Sequence, residues 1–567
     1  MPERIYFLQT RKYLKSTLHM AIISFLGFTI LVAVISYWAT RSTDENSSDG
    51  YFLGGRSLTA GVIAGSLLLT NLSTEQIVGL NGSAYESGLS VMAWETLAAI
   101  AMVVTAIFLL PRYLKGGLTT VPQFLATRFD VATKTITSGL FLTGYVVVLL
   151  PVILYSGSVA ISGMFDVPEL FNISETQALW TCVWGIGIIG SIYAVFGGLK
   201  AVAVSDSINA IGLLIGGLLI PIFGLMAIGD GSVMDGLSTL ITENPDKFKS
   251  MGSETSPVPF HTIFTGMMLV QLFYWGTNQQ IIQRALAAKD LAEGQKGLLL
   301  GSFIKILGPL IVVLPGLIAY HLFEGGLDSV DQAYPALVNK VLPASLLGFF
   351  AAVLFGAILS SFNSVLNSSV TLFGIDIYKQ HINPEADERT VVKYGKMFGI
   401  VLAIAAMFIA PLIANAGSLF DYLQEINGIY SIPILTIIFV GYTTTRVPAI
   451  AAKIGVISGS VLYILSQFIL QPYFENTAVA AAEASGVTDK VALAVVESTA
   501  YPHYLDVMAI LFVLNVVIML IIGKFYPRAE AYQLSYTNQV DITPFRFVKE
   551  VGLAIVVVVI GIYWYFA

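Results

Sequence analysis

Residues 298–320 read LLLGSFIKILGPLIVVLPGLIAY, with Lys305 flanked by apolar residues on both sides. Translocon scales place a lysine at mid-bilayer about 2.5–3.5 kcal/mol uphill. Such a stretch can cross a membrane where its ammonium meets a partner or a watery cavity. Glu95, in SVMAWETLAAIAMVV (90–104), poses the same problem with the opposite sign. Ionisable groups at membrane depth imply a polar site inside a helical bundle, and so a protein that handles a polar solute.

The rest of the chain agrees with a polytopic membrane protein. Of its 567 residues, 56% are hydrophobic and 11% charged, and the mean hydropathy is +0.79; soluble domains are far more charged. About fourteen apolar runs follow one another, at 20–40, 58–83, 89–110, 136–164, 178–196, 203–228, 260–282, 297–323, 344–373, 394–414, 419–442, 447–470, 504–525 and 551–566; most can span roughly 30 Å of hydrocarbon as helices. Runs this long favour helices over a barrel, whose strands are short and alternating. The two longest connections, near 229–259 and 471–503, are too short for an independent domain. No basic stripe supports nucleic-acid binding, and no obligatory protein partner is evident.

Basic residues are sorted by side. Arg112, Lys115, Arg128 and Lys134 follow the third run, and Arg284, Lys289 and Lys296 the seventh. Lys379, Arg389, Lys393 and Lys396 follow the ninth, and Lys524, Arg528, Arg546 and Lys549 the thirteenth. Loops between, such as DVPELFNISET and HLFEGGLDSVDQAY, have no Lys or Arg. The positive-inside rule makes the first set cytoplasmic, and fourteen spans then put both termini outside, in a plasma membrane that is a bacterial inner membrane by this reading. The leader, residues 1–19, conflicts with that orientation: Arg4, Arg11, Lys12 and Lys15 favour a cytoplasmic start. A start at Met20 removes the conflict and makes the leader dispensable. Cys182 is the single cysteine, which excludes an intrachain disulfide and a cysteine metal cluster. The five histidines form no ligand pair at helical spacing, so a metalloenzyme has no support.

Two spans are interrupted by polar and small residues. In GVIAGSLLLTNLSTEQIVGLNGSAY (61–85) the break falls on Asn71, Ser73, Thr74, Glu75 and Gln76. In FTGMMLVQLFYWGTNQQIIQ (264–283) it falls on Gln271, Trp275, Gly276, Thr277, Asn278 and Gln279. A pair of interrupted helices in corresponding halves points to the binding site of a secondary transporter, although polar residues in a span also serve simply to join helices. The second broken span comes five spans after the first, as an inverted repeat of five and five would require. The domains expected are an extra first span (20–50), a first repeat (51–232), a second repeat (233–445) and three peripheral helices (446–567). In FGAILSSFNSVLNSS (355–369), Ser360 and Ser361 lie three and four residues after Ala357. Hydroxyls and a carbonyl there share one helix face, a donor set suited to sodium; serines also often bond back to the preceding turn.

The chain resembles the sodium/solute symporter family, and within it the sodium/glucose and sodium/galactose cotransporter branch. The resemblance runs from about residue 50 to 442. It is carried by YFLGGRSL, NLSTEQIVGLNGSAY, YAVFGGLKAVAVSD, YWGTNQQIIQRALAAKDLAEGQKG and AILSSFNSVLNSSVTLFGIDIYK. It implies an all-α fold of about fourteen transmembrane helices, the LeuT-type five-plus-five inverted repeat with a discontinuous first helix in each repeat. It implies a sodium site of the Leu69, Leu72 and Ala357 carbonyls with the Ser360 and Ser361 hydroxyls. A second sodium would use Asp206 with Asn363 and Ser364, where the family members that bind one have serines in place of Asn363. Asn71, Gln76, Glu95, Lys305 and Gln424 match positions that bond hexose hydroxyls. Tyr274 matches the aromatic that stacks on the pyranose and closes the inner side, and Phe420 an outer gate. Gln271 stands where the family has asparagine, and Ala98 where it has serine.

The expected activity is sodium-coupled import of a hexose such as galactose or glucose by alternating access, with no enzymatic step. The alternative is a sodium symporter for another small organic solute: a polyol, sialic acid or other carboxylate, or an amino acid. An anion site would more often show an arginine or a bare helix N-terminus, although Lys305 could serve one. A membrane sensor would ordinarily bring a signalling domain, an enzyme needs a nucleophile or metal constellation, and a channel is disfavoured by Tyr274 and Phe420. N-terminal sequencing of natively expressed protein is expected to begin at Met20; an intact leader would overturn that start.

Overall fold

A computed structural model of the chain describes residues 23–39, 41, 47–327, 329–415 and 419–567; the leader and the side chains of residues 195–197, 344–345, 414–415, 419–422 and 491 lie outside the description. Among the described residues the protein is helical, with one isolated parallel bridge, Leu58 to Ala288, and no strand. Ten of the described helices are long and apolar enough to cross a membrane, or eleven when Leu291–Leu307 and Pro309–Phe323, bent by 44°, count as one span. The remaining apolar runs fall on the shorter helix Ile23–Ala39 and on the two broken spans, whose halves are short. The first broken span is Ala60–Asn71 followed by Thr74–Ser87, and the second is Gly266–Gly276 followed by Gln279–Leu286.

Burial separates an inner from an outer set of helices. The most apolar window of Leu346–Ile382 is 78% buried, against 33% in Glu175–Ala194 and Glu388–Ile413. The outer faces present residues such as Ile192, Val401 and Phe408, as expected of helices solvated by lipid tails. The inner set surrounds the broken spans. Ala60–Asn71 packs against Leu291–Leu307, Ala344–Thr371 and the long helix Glu175–Ile228.

Side chains complete the backbone where helices stop. Arg128, read above as a loop cation, is fully buried. Its guanidinium donates to the carbonyls of Gly441 (2.9 Å), Thr444 (3.1 Å) and Val447 (3.0 Å) at the end of Leu419–Thr443. A cation at a helix C-terminus meets both the orphan carbonyls and the macrodipole. Lys134 is buried too, 3.5 Å from Asp376, whose carboxylate also accepts from Thr120 and Ser138. Both basic residues therefore have a structural role, whatever their part in orientation.

Glu175–Ile228 is a pair of helices that meet at Gly198, whose φ of 58° and ψ of −174° belong to a region reserved for glycine. A Cβ there would lie 3.1 Å from the Tyr51 ring and carbonyl. Gly198→Ala is expected to destabilise the protein by about 1–3 kcal/mol, seen as a lower thermal midpoint in detergent. Gly139→Ala, at a helical position with open space around it, is the control and should be neutral or slightly stabilising.

Candidate functional site

The two breaks face one another across the core, and each needs partners for its freed backbone groups. At the second, Tyr113 donates its hydroxyl to the Gly276 carbonyl at 2.9 Å. Asn278 caps the restarting helix by accepting from the Gln280 N–H, and Tyr145 donates to the Asn278 side chain at 2.5 Å. At the first break, Ser361 Oγ donates to the Thr70 carbonyl at 3.0 Å, so the serine doublet abuts the break directly.

Lys305 and Glu95 meet. The ammonium lies 2.7 Å from each carboxylate oxygen, with both side chains at 1% exposure or less. Lys305 also donates to the Asn71 side-chain carbonyl. Its ammonium lies 5.5 Å from the Trp275 ring centroid, and Gln76 Nε2 donates to Glu95 at 3.0 Å. The carboxylate fits because residue 308 is glycine: a Cβ there would overlap it. Gly308–Pro309 is also where the span bends, a signal present in the sequence but unused in reading the site.

Beside this pair lies a cavity enclosing about 50 Å³ of water-accessible space. Asn71, Gln76, Gln271, Tyr274 and Gln424 line it. Glu95 and Lys305 do not: they sit behind Asn71 and Gln76 and orient them. Gln271 has both ends of its amide engaged, donating to the Trp94 carbonyl at 3.0 Å and accepting from Trp275 at 3.1 Å. The Tyr274 hydroxyl lies beside Asn71 and Gln280. Glu75, Trp94, Asn278, Gln280, Ser361, Asn427 and Tyr430 also line the cavity. Sequence reasoning left them out of the solute site. Asn278 and Glu75 were visible as interruptions, but the facing of Asn427 was not. The side chain of Phe420 lies outside the described residues.

The expected ion ligands lie on or just after Ala60–Asn71 and on Ala344–Thr371, two helices that pack together. Leu69, Leu72, Ala357, Ser360 and Ser361 are all buried. Ser361 can donate its proton to Thr70 and still offer a lone pair to an ion. Ser360 lies beside Asp206. This oxygen-only set suits a hard monovalent cation. Of the other three residues, Asp206 accepts from Ser66 at 2.6 Å, and the Asn363 side-chain oxygen is buried without a partner among the described residues. Ser364 is held by Arg284 and by Thr70 (3.0 Å). Arg284, fully buried, also donates to Ser66 at 3.2 Å, so a guanidinium already stands among these groups.

The sodium:solute symporter family model matches residues 51–459. The chain is 47% identical over 545 residues to the "Uncharacterized symporter YidK" of Escherichia coli (strain K12), covering 96% of this chain and 90% of that one. It is 32% identical over 467 residues to the "Sodium/glucose cotransporter" of Vibrio parahaemolyticus, covering 77% and 84%. It is 29% identical over 470 residues to the human "Sodium/myo-inositol cotransporter 2", covering 77% and 68%. Among solved structures, a Na+-coupled sialic acid symporter in a substrate-bound outward-open state superposes with a TM-score of 0.69 at 19% identity, covering 91% and 99%. That likeness shows a common fold.

Replacing Lys305 alone by methionine strands a buried carboxylate and should cost about 3–5 kcal/mol, whereas Lys305→Met with Glu95→Gln removes both charges and should recover most of it. Thermal unfolding of the purified single and double variants checks this; equal losses in both would mean that the pair is not coupled.

Proposed function

The chain belongs to the sodium:solute symporter family, and from that premise we propose that it imports a sugar together with sodium by alternating access. It is a multi-pass membrane transporter and not an enzyme, and it uses sodium. The sugar is our reading. The observation that carries it is the cavity wall, where the amides of Asn71, Gln76 and Gln424 converge beside the Tyr274 ring. A pyranose presents hydroxyls around its edge and C–H groups on its face, and such a wall offers amides to the first and an aromatic to the second. The names of the glucose and myo-inositol relatives support the same class of solute. In this reading Glu95 and Lys305 act through Asn71 and Gln76, and they reach the sugar directly in a more open conformation.

Sodium takes the Leu69, Leu72 and Ala357 carbonyls with Ser360 and Ser361. The bond from Ser361 to Thr70 ties that ion site to the break bearing Asn71 and Gln76. Bound sodium holds the break in the arrangement that receives sugar, and the coupling is reciprocal. Each positive charge moving inward is worth about 2.3 kcal/mol per 100 mV, enough for more than tenfold accumulation. We take one sodium per cycle, because Arg284 already supplies a cation to Ser364 beside Asp206 and Asn363. The fourteen-span inverted repeat, with residues 51–232 and 233–445 as its halves, both termini outside and Phe420 as outer gate, belongs to the same proposal.

Proteoliposomes with an inside-negative potential are expected to accumulate labelled galactose or glucose only with external sodium. Ser360→Ala should raise the half-saturating sodium concentration about tenfold before it alters sugar recognition. An unchanged sodium response in that variant would overturn the ion site, and sodium-independent uptake would overturn the coupling.

A further inference from the structure

Each broken span restarts its helix against the cavity, and in both the second residue of the new helix is a long side chain ending in an acceptor. Glu75 is second in Thr74–Ser87, and Gln280 is second in Gln279–Leu286. Both line the cavity, at 9% and 4% exposure. Glu75 Oε2 and Gln280 Oε1 have no hydrogen-bond partner among the described residues. A buried acceptor left without a donor is unfavourable, more so when charged. The N-terminal helix dipole favours a carboxylate at Glu75 but supplies no proton donor to Oε2.

The remaining wall sharpens the point. Among the described residues, Glu75 carries its one carboxyl group, and neither a lysine nor an arginine lines it. Lys305 is neutralised by Glu95 behind Asn71, and Arg284 is turned to Ser66, Ser364 and the Gln280 carbonyl. An anionic solute would bring more acceptors to a wall that already holds two unpaired ones, and a charge that no lining cation meets. A polyol brings the missing donors.

We infer that Glu75 Oε2 and Gln280 Oε1 read hydrogen-bond donors of the transported solute, so that the cavity takes an uncharged polyhydroxylated molecule and rejects one bearing a carboxylate. This deepens the sugar reading and rests on it. The two residues occupy equivalent positions after the two breaks, so the solute is gripped by a matched pair of acceptors.

The test is thermal stabilisation of the purified full chain, in sodium and in choline, by galactose, glucose and myo-inositol and by galacturonate, glucuronate and N-acetylneuraminate. At least one neutral solute should stabilise the protein in sodium, and its uronate should not. Glu75→Gln should weaken the neutral solute about tenfold and bring the matching uronate into the measurable range. Gln280→Leu should weaken the neutral solute by a similar factor without admitting the uronate. Wild-type stabilisation by a uronate equal to that by its neutral parent would overturn the inference. So would a Glu75→Gln protein whose melting temperature shifts while its preference for neutral over acid is unchanged, the result expected of a helix-dipole role alone. If none of the six solutes acts in sodium, the sugar reading falls as well.

Discussion

The Lys305–Glu95 pair is the constraint around which the centre of this protein is arranged. Neither charge is tolerable alone at membrane depth, and bringing them to 2.7 Å makes each the other's counter-ion. The contact demands more than two side chains. The carboxylate needs the space left by Gly308, and the span carrying Lys305 bends by 44° there. The pair's remaining hydrogen-bonding capacity goes to Asn71 and Gln76. A buried ion pair is poor evidence for stability in itself. Here it sets the rotamers of two amides that form the cavity wall.

Broken helices raise a second physical demand. Every backbone group freed by unwinding needs a partner, since lipid supplies none. Tyr113, Tyr145 and Ser361 meet part of that demand from neighbouring helices, and Asn278 meets another part from within the break. Just after each break a side-chain acceptor, Glu75 Oε2 or Gln280 Oε1, is left over on a residue that lines the cavity. Arg284 fits the same logic as a tethered cation: it bridges Ser66 and Ser364 and links the second broken span to Asp206 through Ser66.

Much of this was legible in one dimension. Length and apolarity of the runs dictate a helical membrane protein, because hydrocarbon thickness sets the length of a span. The polar interruptions at 71–76 and 275–279 mark the breaks, because such groups are tolerated at depth only where they serve a site. The basic loops were read for orientation alone, yet Arg128 and Lys134 are buried and bound. Charge sorting and structural capping call for the same residue types at the same helix ends, and composition cannot separate them. The span count by length is smaller than the number of apolar runs for a related reason: a broken span is hydrophobic overall, but each helical half is short.

The order of residues alone therefore determined the class of protein, the location of both helix breaks and the presence of charges that had to be resolved inside the bilayer. Those follow from transfer energies, which depend on residue type and local run length. Only the tertiary structure decided that Lys305 and Glu95 spend their charge on each other behind the wall, that Gln271 is tied to Trp94 and Trp275, and that Glu75 and Gln280 face the cavity with an acceptor unmet. Which partner Glu95, Lys305 or Gln271 finds depends on contacts between helices far apart in sequence, 210 residues for Glu95 with Lys305 and 177 for Gln271 with Trp94. No local pattern encodes those long-range choices.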